Sequence, residues 1–181
     1  MTLPPIRRGI PADAAALARF AARTFAETFG SANDPAHLAE HLSTAYGIPQ
    51  QQRELSDPNC RTLLVDADGE LAGYAQVRRH PPPPCVTGPR PVELARFYVD
   101  RPWHGRGIAA HLMTGVAEAA AELGGQTLWL GVWERNPRAI AFYTKSGFSD
   151  TGHTEFFVGP DRQTDRVLVA NLARLGAGRG P

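Results

Sequence analysis

One stretch of the chain constrains the fold more than any other, because an apolar strand runs directly into a glycine-rich turn and a helix. The run 92–99, VELARFYV, is rich in strand-forming residues and ends before Asp100 and Pro102. After the turn 104–107, HGRG, apolar residues recur at spacings of four and three, namely Ile108, Leu112, Val116, Ala119 and Leu123. We therefore expect a buried strand that becomes a sheet-packed helix across two glycines.

The start of that helix is suited to binding phosphate. The first turn of a helix carries backbone N–H groups without intrahelical partners and a partial positive charge. Gly105 and Gly107 would let the backbone approach a phosphate closely, and Arg106 adds a mobile positive charge. Two alternatives stay open: a simple turn, or a dinucleotide-binding fingerprint, since 105–110 fits G-x-G-x-x-A. The position of the run, beyond the middle of the chain, argues against the dinucleotide reading.

Length and charge limit the remaining possibilities. A chain of 181 residues can bury one good core, so we expect a single domain over 1–175 and a flexible C-terminal tail over 176–181. With 19 basic and 18 acidic residues, bulk charge gives no reason to expect a nucleic acid or membrane partner. No apolar run suits a membrane span or signal peptide, and Cys60 and Cys85 form no metal or disulfide pattern, so we expect a cytoplasmic protein.

Periodicity and turn residues place the other elements. We expect helices over 11–29, 34–46, 49–55 and 136–147, and strands over 3–8, 61–66, 70–78, 127–132, 148–158 and 165–172. Asp-Gly at 68–69 marks a hairpin, and the six prolines of 81–91 mark a stiff surface loop.

A metal-binding pattern lies in the second of these helices. His37-Leu38-Ala39-Glu40-His41 matches the H-x-x-E-H motif of one class of zinc peptidases, and its spacing would put both histidines on one helix face. The short chain and the chance recurrence of short patterns argue against zinc. We expect no metal site, and instead a solvated helix face near a substrate entrance.

Two blocks of the sequence resemble a known superfamily. The run from His104 to Ala109 is similar to the pyrophosphate-binding signature Q/R-x-x-G-x-G/A of the GNAT acetyl-CoA-dependent N-acetyltransferases, with a departure at His104. The segment 128–148 resembles the superfamily's later strand and helix, and its N-x-x-A-x-x-F-Y-x-x-x-G-F pattern is complete from Asn136 to Phe148. The resemblance implies an α/β (α+β) GNAT fold, with a mixed sheet of about seven strands, splayed between the fourth and fifth and flanked by about four helices.

The resemblance also implies acetyl-CoA as cofactor and places its binding residues. They lie on the central strand, the glycine turn and the later helix: Phe97, Tyr98, Val99, His104, Gly105, Arg106, Gly107, Ile108, Ala109, Ala110, Asn136 and Tyr143. A backbone N–H would stabilise the oxyanion where the central strand bulges, which we expect near Tyr98 or Val99.

Two side chains are the candidate catalysts for attack of a primary amine on the thioester. The resemblance places the acid at Tyr143, which would assist the leaving thiolate, although a core tyrosine is the alternative. Glu93, at the start of the central strand, is the candidate base, and a salt-bridged strand end is its alternative. Glu134 and Asp100 are lesser candidates for the base.

The acceptor is suggested by a narrower resemblance. The segments 24–29, 130–136 and 159–165 look like those of bacterial spermidine/spermine N-acetyltransferases of the PaiA type. This implies a polyamine or similar small cationic amine, bound by Glu27, Glu40, Glu93, Trp133 and Asp165. A protein N-terminus or other amine, and a non-catalytic acyl-CoA sensor, remain alternatives, and the resemblance allows a homodimer.

Overall fold

The computed structural model describes residues 3–177, which form one seven-stranded sheet with helices on both faces. The strands are β1 (Ile6–Arg8), β2 (Cys60–Ala67), β3 (Glu70–Arg78), β4 (Pro91–Val99), β5 (Thr127–Trp133), β6 (Ser149–Val158) and β7 (Asp161–Asn171). The helices are α1 (Ala14–Phe29), α2 (Pro35–Ala45), α3 (Ile48–Ser56), α4 (Ile108–Glu122), α5 (Pro137–Lys145) and α6 (Leu172–Ala177).

The sheet is mixed, as predicted. Its strand order is β1-β2-β3-β4-β5-β7-β6, and β4 and β5 form the parallel pair while the other neighbours are antiparallel. The crossover between the two parallel strands is α4, which packs back onto the sheet as a helix of this connection must. The α/β sheet architecture predicted from the sequence is therefore confirmed, with five helices of nine residues or more where about four were expected.

The two central strands pair over only part of their length. Pro91, Val92 and Glu93 of β4 face Thr127, Leu128 and Trp129 of β5, and the strands separate beyond that point. This is the splay expected between the fourth and fifth strands. Because the N–H and C=O groups along the separated edges have no partner strand there, the splay leaves polar backbone facing an opening in the middle of the sheet.

Each face of the sheet carries its own core. On the side that we call the α4 side, buried residues of α4, α5 and the sheet form the larger cluster, which includes Leu112, Val116, Leu130 and Tyr143. On the opposite side, the α1 side, Leu17, Phe20 and Phe25 of α1 pack with Tyr46, Leu64, Tyr74 and Val158. The opening between β4 and β5 is therefore bordered by the core of the α4 side on one face of the sheet and by that of the α1 side on the other.

The C-terminal region differs in detail from the prediction. The last strand begins at Asp161 rather than Asp165, and a short helix, Leu172–Ala177, follows it. Of the predicted tail, Gly176 and Ala177 belong to that helix, and 178–181 lie outside the described residues. Among residues 3–177, no helix combines the length and the apolar character needed to cross a membrane.

Candidate functional site

A cleft of about 450 Å³ lies where β4 and β5 separate. It is lined from both sides of the sheet, by Thr24, Phe25, Glu27, Thr28, Phe29, Tyr46, Leu94, Ala95, Arg96, Phe97, Tyr98, Val99, Arg101, His104, Ala109, Gly131, Val132, Trp133, Asn136, Arg138, Ala139, Phe142, Tyr143, Phe156, Gln163 and Asp165. Of the predicted substrate-binding residues, Glu27, Trp133 and Asp165 line the cleft, and Glu93 and Glu40 do not. Seven of the predicted cofactor-binding residues also line it, namely Phe97, Tyr98, Val99, His104, Ala109, Asn136 and Tyr143.

A β-bulge in β4 decides which side chains face each side of the cleft. Gln76 of β3 pairs with Arg96, whereas the next residue, Val77, pairs with Leu94, so Ala95 is the extra residue. Before the bulge, Leu94 belongs to the core on the α4 side, and after it Phe97 packs against that same core. Since one extra residue reverses the alternation, Arg96 and the following Tyr98 face the α1 side. The bulge was predicted near Tyr98 or Val99, and it lies three to four residues earlier.

The turn before α4 has the geometry expected of an anion-binding loop. Gly105 and Gly107 both have left-handed backbone conformations, with φ of 75° and 86°. Nothing lies within 4 Å of where a Cβ on Gly105 would stand. His111 N–H bonds to the Gly107 carbonyl, so the N–H groups that precede it in the first turn are left without helical partners. The loop therefore presents open backbone amides at the end of β4.

The other predicted cofactor-binding residues of this turn lie between the end of β4 and the first turn of α4. His104 donates a hydrogen bond from Nε2 to the Val99 carbonyl at 2.7 Å, which ties the turn to the end of the strand. The Arg106 guanidinium lies 5.1 Å from the centre of the Trp103 ring. Ile108 is buried in the core, and Ala110 lies within the first turn of α4. A diphosphate would therefore meet main-chain N–H groups, with Arg106 as the cation between the two glycines.

Tyr143 is held by aromatic rings on the α4 side of the cleft. It lies on α5, which begins after Asn136, whose side chain accepts a hydrogen bond from the Ala139 N–H. Its ring is 5.3 Å from that of Phe142, 5.6 Å from Phe148 and 6.1 Å from Phe97. Burial raises the pKa of the Tyr143 hydroxyl, so the phenol stays protonated throughout the neutral range. This hydroxyl is therefore a hydrogen-bond donor at the cleft wall.

The α1 side of the cleft is aromatic with a polar edge. Phe29 of α1 is 4.5 Å from the Phe25 ring and 5.6 Å from Trp133 of β5. Glu27, one-third exposed, lies on the same helix and contacts Arg23 at 3.3 Å. An aromatic wall beside a carboxylate suits an alkyl chain that carries a positive charge.

A second carboxylate, that of Asp165, lies deeper on the same side. Asp165 pairs with Trp133 across β5 and β7, and its Oδ2 lies 3.0 Å from the point where a Cβ on Gly131 would stand. Burial and the nearby charge of Glu134 raise the pKa of Asp165 to about 6. The absence of a side chain at Gly131 thus leaves room for this carboxylate in the splayed region.

Beneath the cleft lies a buried polar network that the sequence analysis did not identify. Arg96 contacts Glu54 of α3 at 2.5 Å, and bonds to Gln76 and to the Ala45 carbonyl at 3.0 Å each. Its guanidinium also lies 4.6 Å from the centre of the Tyr46 ring. The network connects α2 and α3 to the residue just after the bulge, so it fixes the floor of the cleft. The broken alternation of apolar residues from Leu94 to Phe97 was the available signal for it.

Glu93, the predicted base, has a different environment. It lies in the paired part of β4, before the splay, and its side chain is 12% exposed and contacts Arg78 at 2.5 Å. The structure therefore brings Tyr143 and Asp165, but not Glu93, to the cleft. Asp100, a lesser candidate, forms an ion pair with Arg23 and caps the turn at Arg101.

The two histidines of the H-x-x-E-H pattern have separate partners. His37 Nδ1 lies 3.0 Å from Asp161 Oδ2 at the tip of the β6–β7 hairpin. The His41 ring lies between those of Phe25, Tyr46 and Phe156, at centroid distances from 5.0 to 5.9 Å. No residue of α2 is fully buried, in agreement with the expected solvated helix face, and these contacts cover the two histidine rings only in part. Together they attach α2 to the hairpin beside the cleft.

Comparison with known proteins identifies the family. The family model described as "Acetyltransferase (GNAT) family" matches residues 18–148 of this chain, which include the whole of β4, the glycine turn and α5. An uncharacterized N-acetyltransferase of Mycobacterium tuberculosis is 36% identical over 160 residues, which cover 88% of this chain and 98% of that protein.

Two further proteins resemble the chain more distantly. The spermine/spermidine N(1)-acetyltransferase of Bacillus subtilis is 28% identical over 106 residues, which cover 58% of this chain and 66% of that protein. The crystal structure of PaiA N-acetyltransferase from Thermoplasma acidophilum, in complex with coenzyme A, has a TM-score of 0.74. It covers 94% of this chain and 99% of that one at 18% identity, and so supports the fold.

Proposed function

The chain belongs to the acetyltransferase (GNAT) family, and from this premise we propose that it transfers the acetyl group of acetyl-CoA to a primary amine of a small cationic acceptor, such as a polyamine. The observation that carries the proposal is the cleft at the splay. One of its walls has a tyrosine hydroxyl and adjoins the open amides of the glycine turn through His104 and Ala109, and the other has aromatic rings and two carboxylates. A thioester donor and a cationic amine could thus approach each other from opposite faces of the sheet.

The α4 side of the cleft fits the cofactor. The left-handed conformations of Gly105 and Gly107 expose main-chain N–H groups at the start of α4, which would bind the diphosphate together with Arg106. The separated edge of β4 offers unpaired N–H and C=O groups, which suit the amide-bearing arm of coenzyme A. When bound, the cofactor supplies an acetyl group activated as a thioester.

Two groups of this chain would then act on the reacting atoms. A backbone N–H at the bulge around Ala95 is the candidate donor to the oxyanion, because a bulge leaves such groups outside the strand ladder. Tyr143 would donate a hydrogen bond to the leaving sulfur. Since the pKa of its hydroxyl is raised by burial, this role is stabilisation of the thiolate more than complete proton transfer.

The α1 side of the cleft favours a cationic acceptor with an extended chain. Glu27 lies toward solvent and Asp165 lies deeper, so two positive charges on one molecule could each meet a carboxylate. Phe29 and Trp133 would contact the methylene groups between them. The name of the Bacillus subtilis relative, a spermine/spermidine acetyltransferase, supports this class of acceptor.

An acceptor panel tests the proposal. Purified protein with acetyl-CoA is assayed for thiol release with spermidine, putrescine, a monoamine of equal length, an aminoglycoside and a peptide with a free N-terminus. We expect kcat/KM for the di- and polyamines to exceed that for the monoamine by about two- to fivefold, because a second charge pair adds up to about 1 kcal/mol to binding. A preference for the peptide would overturn the acceptor class. Binding of acetyl-CoA without thiol release for any amine would instead support the sensor alternative.

A further inference from the structure

We propose that Asp165 is the catalytic base, the group that takes a proton from the acceptor amine. The inference rests on the proposed amine acetylation and adds to it a specific role for one side chain. The resemblance pointed to Glu93 for this role, and Asp165 had been expected only to bind substrate.

The strand register places Asp165 beside the point where bond formation is expected. Trp129 of β5 pairs with Glu93 of β4 as the last matched position before the splay. Gly131 and Ala95 each lie two residues beyond that pair, so the bulge on one strand and the glycine on the other face the same part of the cleft. Because the Asp165 carboxylate lies over Gly131, it occupies the gap opposite the bulge.

The side-chain orientation is also appropriate. Side chains alternate along β7, and Val167 packs with Trp129 while Gln163 bonds to Asn33 beyond α1. Asp165 lies between these two positions and therefore faces the α1 side, where the acceptor is proposed to bind. An amine nitrogen held there would approach the thioester from the face opposite Tyr143.

Two carboxylates near the splay, Asp165 and Glu134, form no ion pair within residues 3–177, and of these Asp165 is the available one, because Glu134 is exposed and does not line the cleft. Glu27 and Asp100 both contact Arg23, and Glu93 contacts Arg78. Within residues 3–177, by contrast, Asp165 forms no ion pair and accepts no hydrogen bond, and burial and repulsion alone act on its charge. A half-buried carboxylate without a cation is a poor structural element. It becomes favourable when a substrate ammonium supplies the missing partner.

The surroundings adjust its proton affinity in the direction that a base requires. Burial and the negative charge of Glu134 raise the pKa of Asp165 to about 6, so it remains ionised at neutral pH yet is more basic than an ordinary carboxylate. Other charged or titratable groups line the same cleft, namely Glu27, Tyr46, Arg96, Tyr98, Arg101, His104, Arg138 and Tyr143. His153 and Glu155 of β6 and Arg166 of β7 flank Asp165 along the strands.

The reaction balances with Asp165 in this role. The ammonium gives one proton to the carboxylate, and the neutral nitrogen attacks the thioester carbon, so that a C–N bond forms and the C–S bond breaks. The second proton of the nitrogen ends on the thiolate sulfur, to which the Tyr143 hydroxyl donates a hydrogen bond without losing its own proton. Asp165 later releases its proton to solvent, and the products are the amide, the free thiol of coenzyme A and one proton.

The pH dependence of kcat/KM for spermidine tests this assignment in wild type, Asp165→Asn and Glu134→Gln. We expect the wild type to lose activity below about pH 6, in keeping with the pKa of Asp165. In Asp165→Asn, kcat/KM at pH 7 should fall by at least about a hundredfold. The residual kcat/KM should rise about tenfold per pH unit up to the pKa of the amine, because the variant depends on amine that is already neutral. In Glu134→Gln the acid limb should move down by about half a pH unit, because a repulsive charge is gone.

Two further measurements separate this role from a structural one. Calorimetric titration with acetyl-CoA should give the same Kd for wild type and Asp165→Asn, since Asp165 faces the acceptor side. Asp150→Asn is the matched control, because Asp150 pairs with Arg166 and does not line the cleft, and its profile should follow the wild type. If the wild type is active and Asp165→Asn has the same pH profile as the wild type, the base assignment is overturned. A wild type inactive with every amine would overturn the proposed function itself.

Discussion

The Oδ2 atom of Asp165 lies 3.0 Å from the position that a Cβ on Gly131 would occupy, and the Asp165 Cβ lies 3.5 Å from it. The smallest residue of β5 thus faces a carboxylate of β7 that has no ion-pair partner within residues 3–177, at the point where the central strands have separated. This contact makes the glycine a requirement of the site, because any side chain at 131 would compete with the carboxylate for space.

Gly131→Ala is therefore expected to reduce kcat/KM for the amine by about three- to tenfold while the protein stays folded, because the end of a side chain can shift by a few tenths of an ångström. Acetyl-CoA affinity, measured by calorimetry, should not change. Gly30→Ala, where the nearest atom to the new Cβ would be Leu38 Cδ2 at 3.7 Å, is the matched control and should keep full activity. An unaltered rate in Gly131→Ala would mean that Asp165 does not need its present position.

Tyr143→Phe should lower kcat by about a hundredfold with little change in KM, because it removes the hydrogen bond to the leaving sulfur while keeping the ring in its aromatic cluster. The measurement is steady-state thiol release. Tyr74→Phe is the control: Tyr74 is fully buried and, within the described part of the chain, its hydroxyl has no partner. Its removal should leave the rate within about twofold and the stability equal or greater. Equal losses in both variants would argue against a catalytic hydroxyl at 143.

Gly107→Ala should weaken acetyl-CoA binding by about tenfold, because a left-handed conformation costs a residue with a Cβ about 1–2 kcal/mol and the first-turn amides would move to relieve it. Steric contact would not cause the weaker binding, since the atom nearest to a Cβ on Gly107 would be Leu3 Cδ2, at 3.5 Å. Gly69 has nearly the same φ, 84° against 86°, at a hairpin tip on the β2–β3 turn. Gly69→Ala should therefore lower stability similarly without affecting the Kd, and a tenfold effect in both would indicate general unfolding.

The contact between His37 and Asp161 should make stability depend on pH. The hydrogen bond to Asp161, with smaller effects of Asp34 and Glu40, raises the pKa of His37 above its ordinary 6.5. A group whose pKa is higher in the folded state stabilises the protein fully below its unfolded pKa, and the effect is lost as pH rises through the folded value. The difference in urea midpoint between wild type and Asp161→Asn should thus be larger at about pH 6 than at about pH 9. A difference that grows with pH would contradict the interpretation.

Local signals in the sequence were sufficient for the order of elements from β1 to β7, although they did not indicate α6. Val92 to Val99 and the apolar series from Ile108 to Leu123 correspond to β4 and α4, and Asn136 and Gly147 do bracket α5. These features are recoverable because strand alternation, helix periodicity and caps depend on neighbours along the chain. The positive φ of Gly105 and Gly107 can also be predicted from the local sequence, since glycine is the residue that adopts it without strain.

The sequence by itself determined the strand, the glycine turn and the helix that define a phosphate-binding start of α4, together with a tyrosine on the later helix. Only the tertiary structure decided which carboxylates reach the cleft, because that depends on strand register and on partners distant in the chain. Arg78 on β3 engages Glu93, whereas no cation within the described residues engages Asp165, 72 positions later. The bulge at Ala95 likewise turns Arg96 to the α1 side, and although the broken alternation from Leu94 to Phe97 hints at it, the pairing with β3 decides where the extra residue lies.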